Sequence, residues 1–310
     1  MNAPVDASLR PTLGRACGKL ILVGEHAVVH GHPALALPFH QVEVVAEAIP
    51  VPGPVQVTSE RYDANLAGLR RTAEATLVAC GRAPRGFSLH IRSTIPMGAG
   101  LGSSAATAVA LVRALARACE HELPDAITTG LVNLAEREAH GQPSGLDAAT
   151  ILLERPIRFR REHEPVPIAL GTRAHLVVAD TGRQRDTRAA VAAVTDMLRH
   201  EPARAQACLA ALGGLSSDAE AALAGGEVVA LGQVLDRAHD LLSALGVSDL
   251  ALDTWVGLAR RAGALGAKLT GAGRGGCVLA LAGDARMAGA IAAAWQEAGA
   301  AAVYQEELTG

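Results

Sequence analysis

The stretch Ile95 to Ala106, IPMGAGLGSSAA, sets Gly98, Gly100 and Gly102 among small residues and follows them at once with Ser103 and Ser104. Glycine lets a backbone adopt positive φ and come close to a ligand. The unpaired N–H groups that open a helix, with the positive end of its dipole, attract anions. Such a loop suits a polyphosphate, and a serine hydroxyl at the helix start suits Mg²⁺. It is not a Walker loop, because no Gly-Lys-Ser/Thr closes it, and Ser103 stands where a dinucleotide fingerprint needs its third glycine. The same glycines would also serve tight packing of a strand on a helix.

Other residues with chemical potential are scattered along the chain. Lys19, Glu25 and His26 lie inside the apolar segment GKLILVGEHAVVHGHPALALP, Gly18 to Pro38. Lys and Glu are rarely buried unless paired, so they hint at a lined cavity. His26, His30 and His32 do not form a zinc motif: Glu25 precedes the first histidine instead of following it, and two histidines are too few for a closed site. Glu136 and His140, four apart on a helix, share a face, as a solvated polar pair also would. Ser144 and Asp147 have the spacing of a capping box, in which Asp147 is a first-turn acid. A second glycine-dense loop occurs in GAKLTGAGRGGCVLALAG, Gly266 to Gly283.

The elements that carry these residues are legible from period and punctuation. Phe87, Leu89 and Ile91 alternate with polar residues as in a strand, and Ser104 to Leu123 is an Ala/Leu/Val-rich helix running up to Pro124. The glycine loop is therefore the middle of a strand–loop–helix element. Leu20 to Val23 reads as a buried strand, Gln41 to Thr58 as one or two strands interrupted at VPGP, and Tyr62 to Cys80 as a helix. Asp125 to His140 is a helix closed by Gly141. Pro156 to Pro167 is charged and proline-punctuated, the best candidate for a domain junction. The second half contains a strand (His175 to Ala179), long alanine-rich helices including Val228 to Leu245 with His239, a strand from Cys277 to Leu281, a helix near Ala288 to Glu297 and a last strand.

With 310 residues the chain can form one large or two ordinary domains. Aromatic residues make up only 2%, so Ala, Leu and Val must fill the core. A net charge of −3 offers no general attraction to nucleic acid or anionic membranes. Five widely spaced cysteines, with no C-x-x-C, argue for reduced thiols in a cytoplasm. No apolar run suggests a membrane span, and the first residues lack a signal-peptide core. A soluble, intracellular protein is expected.

Taken together, GKLILVGEHAVVHG, IPMGAGLGSSAA and KLTGAGRGGC resemble the three motifs of the GHMP family of small-molecule kinases. GQPSGLDAA is similar to the family's catalytic-aspartate segment, and DTGRQRDTR to the strand and turn that begin its second domain. DRAHDLLSALGVSDLALDTWV, Asp236 to Val256, resembles a helix and loop of the branch that phosphorylates mevalonate. The resemblance spans nearly the whole chain and implies an α+β, two-domain fold. Residues 1–165 would be a ribosomal-protein-like, ATP-binding domain and residues 166–310 a ferredoxin-like domain, with the active site between them. It further implies that Gly98, Ala99, Gly100, Leu101, Gly102, Ser103 and Ser104 hold the ATP phosphates and that Ser104 and Glu136 ligate Mg²⁺. Asp147 would face the acceptor hydroxyl, with Lys19 bridging Asp147 and the phosphates. Glu25, His26, Thr181, Gly271, Ala272 and Gly273 would contact the substrate. The loop Gly271 to Gly276 would pack against the phosphate loop. The expected reaction is transfer of the ATP γ-phosphoryl group to the primary hydroxyl of mevalonate, and a homodimer is left open.

The chain departs from the family pattern in places. Cys17 stands where proline is usual, Arg274 interrupts the glycine run, and Leu153 and Glu154 replace a frequent glycine pair. Alternative readings are a relative acting on phosphomevalonate, a sugar or homoserine, and a non-catalytic GHMP fold used as a ligand-binding regulator. A phosphorylated substrate would call for further cations, for which Arg183, Arg185 and Arg274 are available.

Overall fold

The computed structural model describes residues 10–60, 66–140, 143–171 and 173–309. In chain order they form β1 (Thr12–Val23), a 3-10 turn (Ala27–His30), β2 (Ala34–Pro54), β3 (Gln56–Ser59), α1 (Leu66–Ala79), β4 (Arg85–Ser93) and α2 (Ser103–Ala118). Then come α3 (Asp125–His140), α4 (Leu146–Leu153), β5 (Ile157–Phe159), β6 (Val166–Pro167), β7 (Ala174–Asp180), α5 (Thr187–His200), α6 (Pro202–Gly225) and α7 (Val228–Ala244). The chain finishes with α8 (Leu250–Arg261), β8 (Gly266–Thr270), β9 (Cys277–Ala282), α9 (Ala285–Glu297) and β10 (Ala302–Leu308). Two compact units result. One comprises Met1–Lys19, Val42–Ile95 and Gly102–Glu154, the other Leu20–Gln41, Pro96–Leu101 and Arg155–Gly310.

In the first unit β2 pairs antiparallel with β4, Val44 facing Ser93, and β3 runs parallel to β4. Val42, Val44, Ala46 and Ala48 on β2, and Phe87, Leu89 and Ile91 on β4, are buried in alternation, the period that lets one sheet face meet a core. Helices α1, α2 and α3 pack on one another. Alanine makes this close packing feasible: α2 buries Ala105, Ala106, Ala108, Ala110 and Ala114 together with Val109 and Leu111.

The second unit holds an antiparallel sheet of order β10-β7-β9-β8. With a helix-bearing crossover on each side of the β8–β9 hairpin, this is the split βαβ arrangement of ferredoxin-like folds. Strands β8 and β9 are buried throughout. Helix α7 lies close against β8 because two glycines meet there: a methyl group on Gly266 would come within 1.9 Å of the Gly232 carbonyl. The chain as a whole is α+β.

Several boundaries differ from the sequence reading. The apolar run Ala34 to Leu37 and the Gln41 segment are one strand, β2, and Pro50 to Pro54 is a register irregularity within its pairing to β4. Helix α2 ends at Ala118, short of Leu123. The cause is Glu120 at φ 50, with Glu120 N–H bonding Arg117 C=O and His121 N–H bonding Ala116 C=O. That is a Schellman stop built without glycine. Residues 157–159 and 166–167, within the presumed junction, are the paired strands β5 and β6. Tyr62 to Asn65 and Gly141 lie outside the described residues. Among the described residues no helix is long and apolar enough to cross a membrane.

Candidate active site

In the first unit β1 delivers Lys19 and α4 delivers Asp147. Lys19 Nζ lies 2.9 Å from Asp147 Oδ1, with the lysine side chain 2% exposed and the aspartate 34%. The lysine is thus sunk in the core with its charge on a carboxylate that reaches solvent. Asp147 stands in the first turn of α4, where the helix dipole favours an anion. The helix opens on Gly145 at φ 90, and Ser144 Oγ accepts from Leu146 N–H, so the cap is glycine and not the serine that the capping-box spacing suggested. Gly102, at φ 78, opens α2 directly over the lysine stem: a methyl group there would lie 2.8 Å from Lys19 Cγ. This glycine is required by both its conformation and its neighbour.

Ser103 and Ser104 form the first turn of α2 and are half-buried. Ser103 Oγ is buried without a hydrogen-bond partner among the described residues, an arrangement that native proteins seldom leave unanswered. Glu136, 4% exposed, sits on α3, which packs on α2. The side chain of His140 lies outside the described residues, so its pairing with Glu136 is not described.

In the second unit Glu25 and Lys268 form an ion pair with both side chains fully buried, and Lys268 Nζ also donates to Leu269 C=O at 2.7 Å. Glu25 Oε2 is buried and has no hydrogen-bond partner among the described residues. Next to it His26 holds φ 60 and donates from Nε2 to Ala272 C=O at 2.8 Å. Burial pushes the His26 imidazole below its ordinary value, against the opposing pull of the Ala272 carbonyl and Glu25. Thr270 Oγ1 donates to Ile21 C=O, so β8 and its following loop are tied to Ile21, Glu25 and His26 in turn. Thr181 Oγ1 donates to Gly276 C=O at 2.7 Å.

The glycine loops meet within this unit. A methyl group on Gly276 would lie 3.0 Å from Ala99 C=O, and one on Gly271 would lie 3.6 Å from Gly100 Cα. Arg274 directs its guanidinium at the turn that follows α7. At φ 52 it sends Nε and Nη2 to Gly246 C=O at 3.1 and 2.9 Å. The structure thus gathers Lys19, Asp147 and Gly102 in one unit, and Glu25, His26, Thr181, Ala99, Gly100 and Gly271 to Gly273 in the other. Gly98, at φ 71, has open space around it.

Sequence reasoning assigned no role to Lys268 or His239. The signal that singled out Lys19, a lysine within an apolar strand, applies equally to Lys268 between Ala267 and Leu269. His239, on α7, accepts at Nδ1 from Leu269 N–H and donates from Nε2 to Asp253 Oδ1 at 3.1 Å, fixing β8 to α7 and α8.

Family models match this chain twice: the GHMP kinases N terminal domain over residues 68–155 and the GHMP kinases C terminal domain over residues 219–301. The mevalonate kinase of Aeropyrum pernix is 37% identical, over 88% of this chain and 89% of its own length. That of Thermococcus gammatolerans is 33% identical, over 87% and 89%. The crystal structure of L. major mevalonate kinase in complex with R-mevalonate superposes with a TM-score of 0.84 at 30% identity, covering 100% of this chain and 99% of that one. The chain belongs to the GHMP kinases. It is accordingly an ATP-dependent small-molecule kinase. Within this GHMP kinase the N-terminal model match contains Gly98 to Ser104, Glu136 and Asp147, and the C-terminal match contains Lys268 and Gly271 to Gly273.

Proposed function

We propose that this kinase transfers the γ-phosphoryl group of ATP to the primary hydroxyl of mevalonate. The observation that carries the reading is the Lys19–Asp147 pair, a buried ammonium holding a solvent-reaching carboxylate beside Gly102, in a chain whose relatives are mevalonate kinases. The hydroxyl oxygen bonds to the γ-phosphorus while the bond from that phosphorus to the ADP oxygen breaks, and the hydroxyl proton passes to Asp147. The transition state of such transfers is loose, so positioning and charge neutralisation dominate and the proton leaves late. Lys19 orients the carboxylate. The N–H groups of Gly98 to Ser104 hold the phosphates. Glu25, His26, Thr181 and Gly271 to Gly273 contact the acceptor, with Glu25 Oε2 as a hydrogen-bond acceptor for a hydroxyl.

The donor types around α2 fit Mg²⁺, which takes hard oxygen ligands and usually only one or two from protein. Ser104 stands in the first turn of α2 and the buried Glu136 carboxylate lies on the adjoining helix. Ser104 and Glu136 would hold the ion, which when bound supplies neutralisation of phosphate charge. We place the domain boundary at residue 165, between the two segments that the family models match. The five free thiols support a cytoplasmic location.

The acceptor is tested by measuring kcat/KM for mevalonate, phosphomevalonate, galactose and homoserine side by side with Mg²⁺-ATP. Mevalonate is expected to give the highest value. A higher value for any of the other three overturns the acceptor and leaves the kinase chemistry intact.

A further inference from the structure

Three arginines stand close in sequence or space to the glycine loops, and the structure separates them by what they already bind. Arg183 is paired with Asp249, Nη1 to Oδ1 at 3.0 Å. Arg274 spends its guanidinium on Gly246 C=O. Arg185 forms no hydrogen bond or ion pair among the described residues. Its Nη1 would lie 3.3 Å from a methyl group on Gly100 and 3.9 Å from one on Gly271. The guanidinium therefore rests against the two glycine loops at the point where they touch.

Its placement is built, not incidental. The segment around it is fixed to the third glycine loop by three backbone bonds: Thr181 N–H to Gly276 C=O, Gly276 N–H to Arg183 C=O and Asp186 N–H to Arg274 C=O. Gly275, at φ 118, allows this approach, since a methyl group there would come within 3.0 Å of Arg185 Cα. The neighbouring carboxylates are engaged elsewhere. Asp186 Oδ1 caps α5 through Ala189 N–H, and Asp180 Oδ1 accepts from Gly182 N–H. A half-buried, positioned guanidinium keeps its planar fork of donors for an external anion. Beside a loop that holds phosphates, the matching anion is a phosphoryl group.

We propose that Arg185 is a further catalytic residue that donates hydrogen bonds to the non-bridging oxygens of the transferred phosphoryl group. The proposal rests on the phosphoryl-transfer reading above. Arg185 moves no proton: the oxygen–phosphorus bond still forms at the acceptor, the bond to ADP breaks, and Asp147 takes the hydroxyl proton. An arginine in this role acts on charge that grows in the transition state, so its loss falls on kcat more than on acceptor KM.

The test compares Arg185→Gln and Arg185→Lys with Arg183→Gln, whose side chain pairs with Asp249, after thermal melts establish that each variant is folded. Arg185→Gln is expected to lower kcat by about 10³-fold with acceptor KM within about 3-fold. Arg185→Lys should fall between it and the wild type, because an ammonium restores charge without the fork. Arg183→Gln should stay within about 3-fold of wild-type kcat, as expected for an exposed pair. A second measurement uses calorimetric binding of ATP and of ADP without acceptor, where Arg185→Gln should weaken ATP at least about 10-fold more than ADP. A folded Arg185→Gln variant with near-wild-type kcat, or one that loses ATP and ADP affinity equally, overturns the proposal. The nucleotide measurement needs no acceptor, so it decides on Arg185 even if the mevalonate assignment fails.

Discussion

Asp147 and Lys19 carry the sharpest prediction at the level of single residues. Asp147→Asn keeps size and leaves the α4 start intact, because the cap is Gly145 and not the aspartate. The variant leaves the buried Lys19 ammonium facing an amide oxygen instead of a charge, so it should melt below the wild type while remaining folded. Its kcat should fall by about 10²–10⁴, the usual worth of a proton acceptor in the transition state. Steady-state kinetics beside a thermal melt checks both halves, and near-wild-type turnover would reduce Asp147 to a helix-dipole residue. The metal assignment has its own signature. Ser104→Ala and Glu136→Gln should each raise the Mg²⁺ concentration needed for half-maximal rate. Their double variant should lose less than the product of the single losses, since two ligands of one ion are coupled. Losses that simply multiply, with unchanged Mg²⁺ dependence, count against the pair. Glu25 shows how a residue's role depends on its partner: a carboxylate buried this deeply persists only because Lys268 lies against it.

The strand–loop–helix element derives its function from where its glycines sit, and the glycines are not equivalent. Gly98 has positive φ and open space, so Gly98→Ala should cost only the left-handed penalty of about 1–2 kcal/mol. Gly102 has positive φ and Lys19 Cγ at 2.8 Å from any added methyl. Gly102→Ala should therefore lose at least about 1 kcal/mol more than Gly98→Ala by denaturant unfolding, from overpacking added to strain. Because the displaced group is the Lys19 stem, it should also lower kcat in the folded fraction. Equal stability losses in the two variants would show that the lysine stem yields freely. The β8 element has a comparable logic on its other side. Loop Gly271 to Gly276 is fixed by Thr181, by Arg274 on Gly246 and by His26 on Ala272, which leaves Arg185 as the cation directed at its edge.

At the scale of the whole molecule, buried imidazoles set how stability depends on pH. His239 bonds Asp253 and feels the charges of Arg260 and Lys268, and burial lowers its pKa against the pull of Asp253. The unfolded chain takes up a proton near the ordinary value of 6.5 that folded His239 refuses. Stability is thus retained above that pH and lost as the pH falls below it. Burial lowers His26 in the same direction. Replacing His239 with Gln should reduce the slope of unfolding free energy just below pH 6.5 by up to about 1.4 kcal/mol per pH unit, read from urea titrations across that range. An unchanged slope would mean that His239 does not contribute. What the sequence determined by itself was local. The glycine spacing of the phosphate loop, helix α3 from Asp125 to His140 and the alternation on β4 follow from turn chemistry and period, which act over a few residues. The three motifs and the aspartate segment likewise pointed to the kinase family. The tertiary structure alone decided the pairings: Lys19 with Asp147, Glu25 with a lysine 243 positions away, Arg274 with Gly246 and Arg185 left uncommitted. It also decided where α2 stops, because a Glu at positive φ has no glycine to announce it. Which charge neutralises which depends on how distant strands and helices pack, and burial in that packing is what makes a lone lysine or carboxylate seek its particular partner.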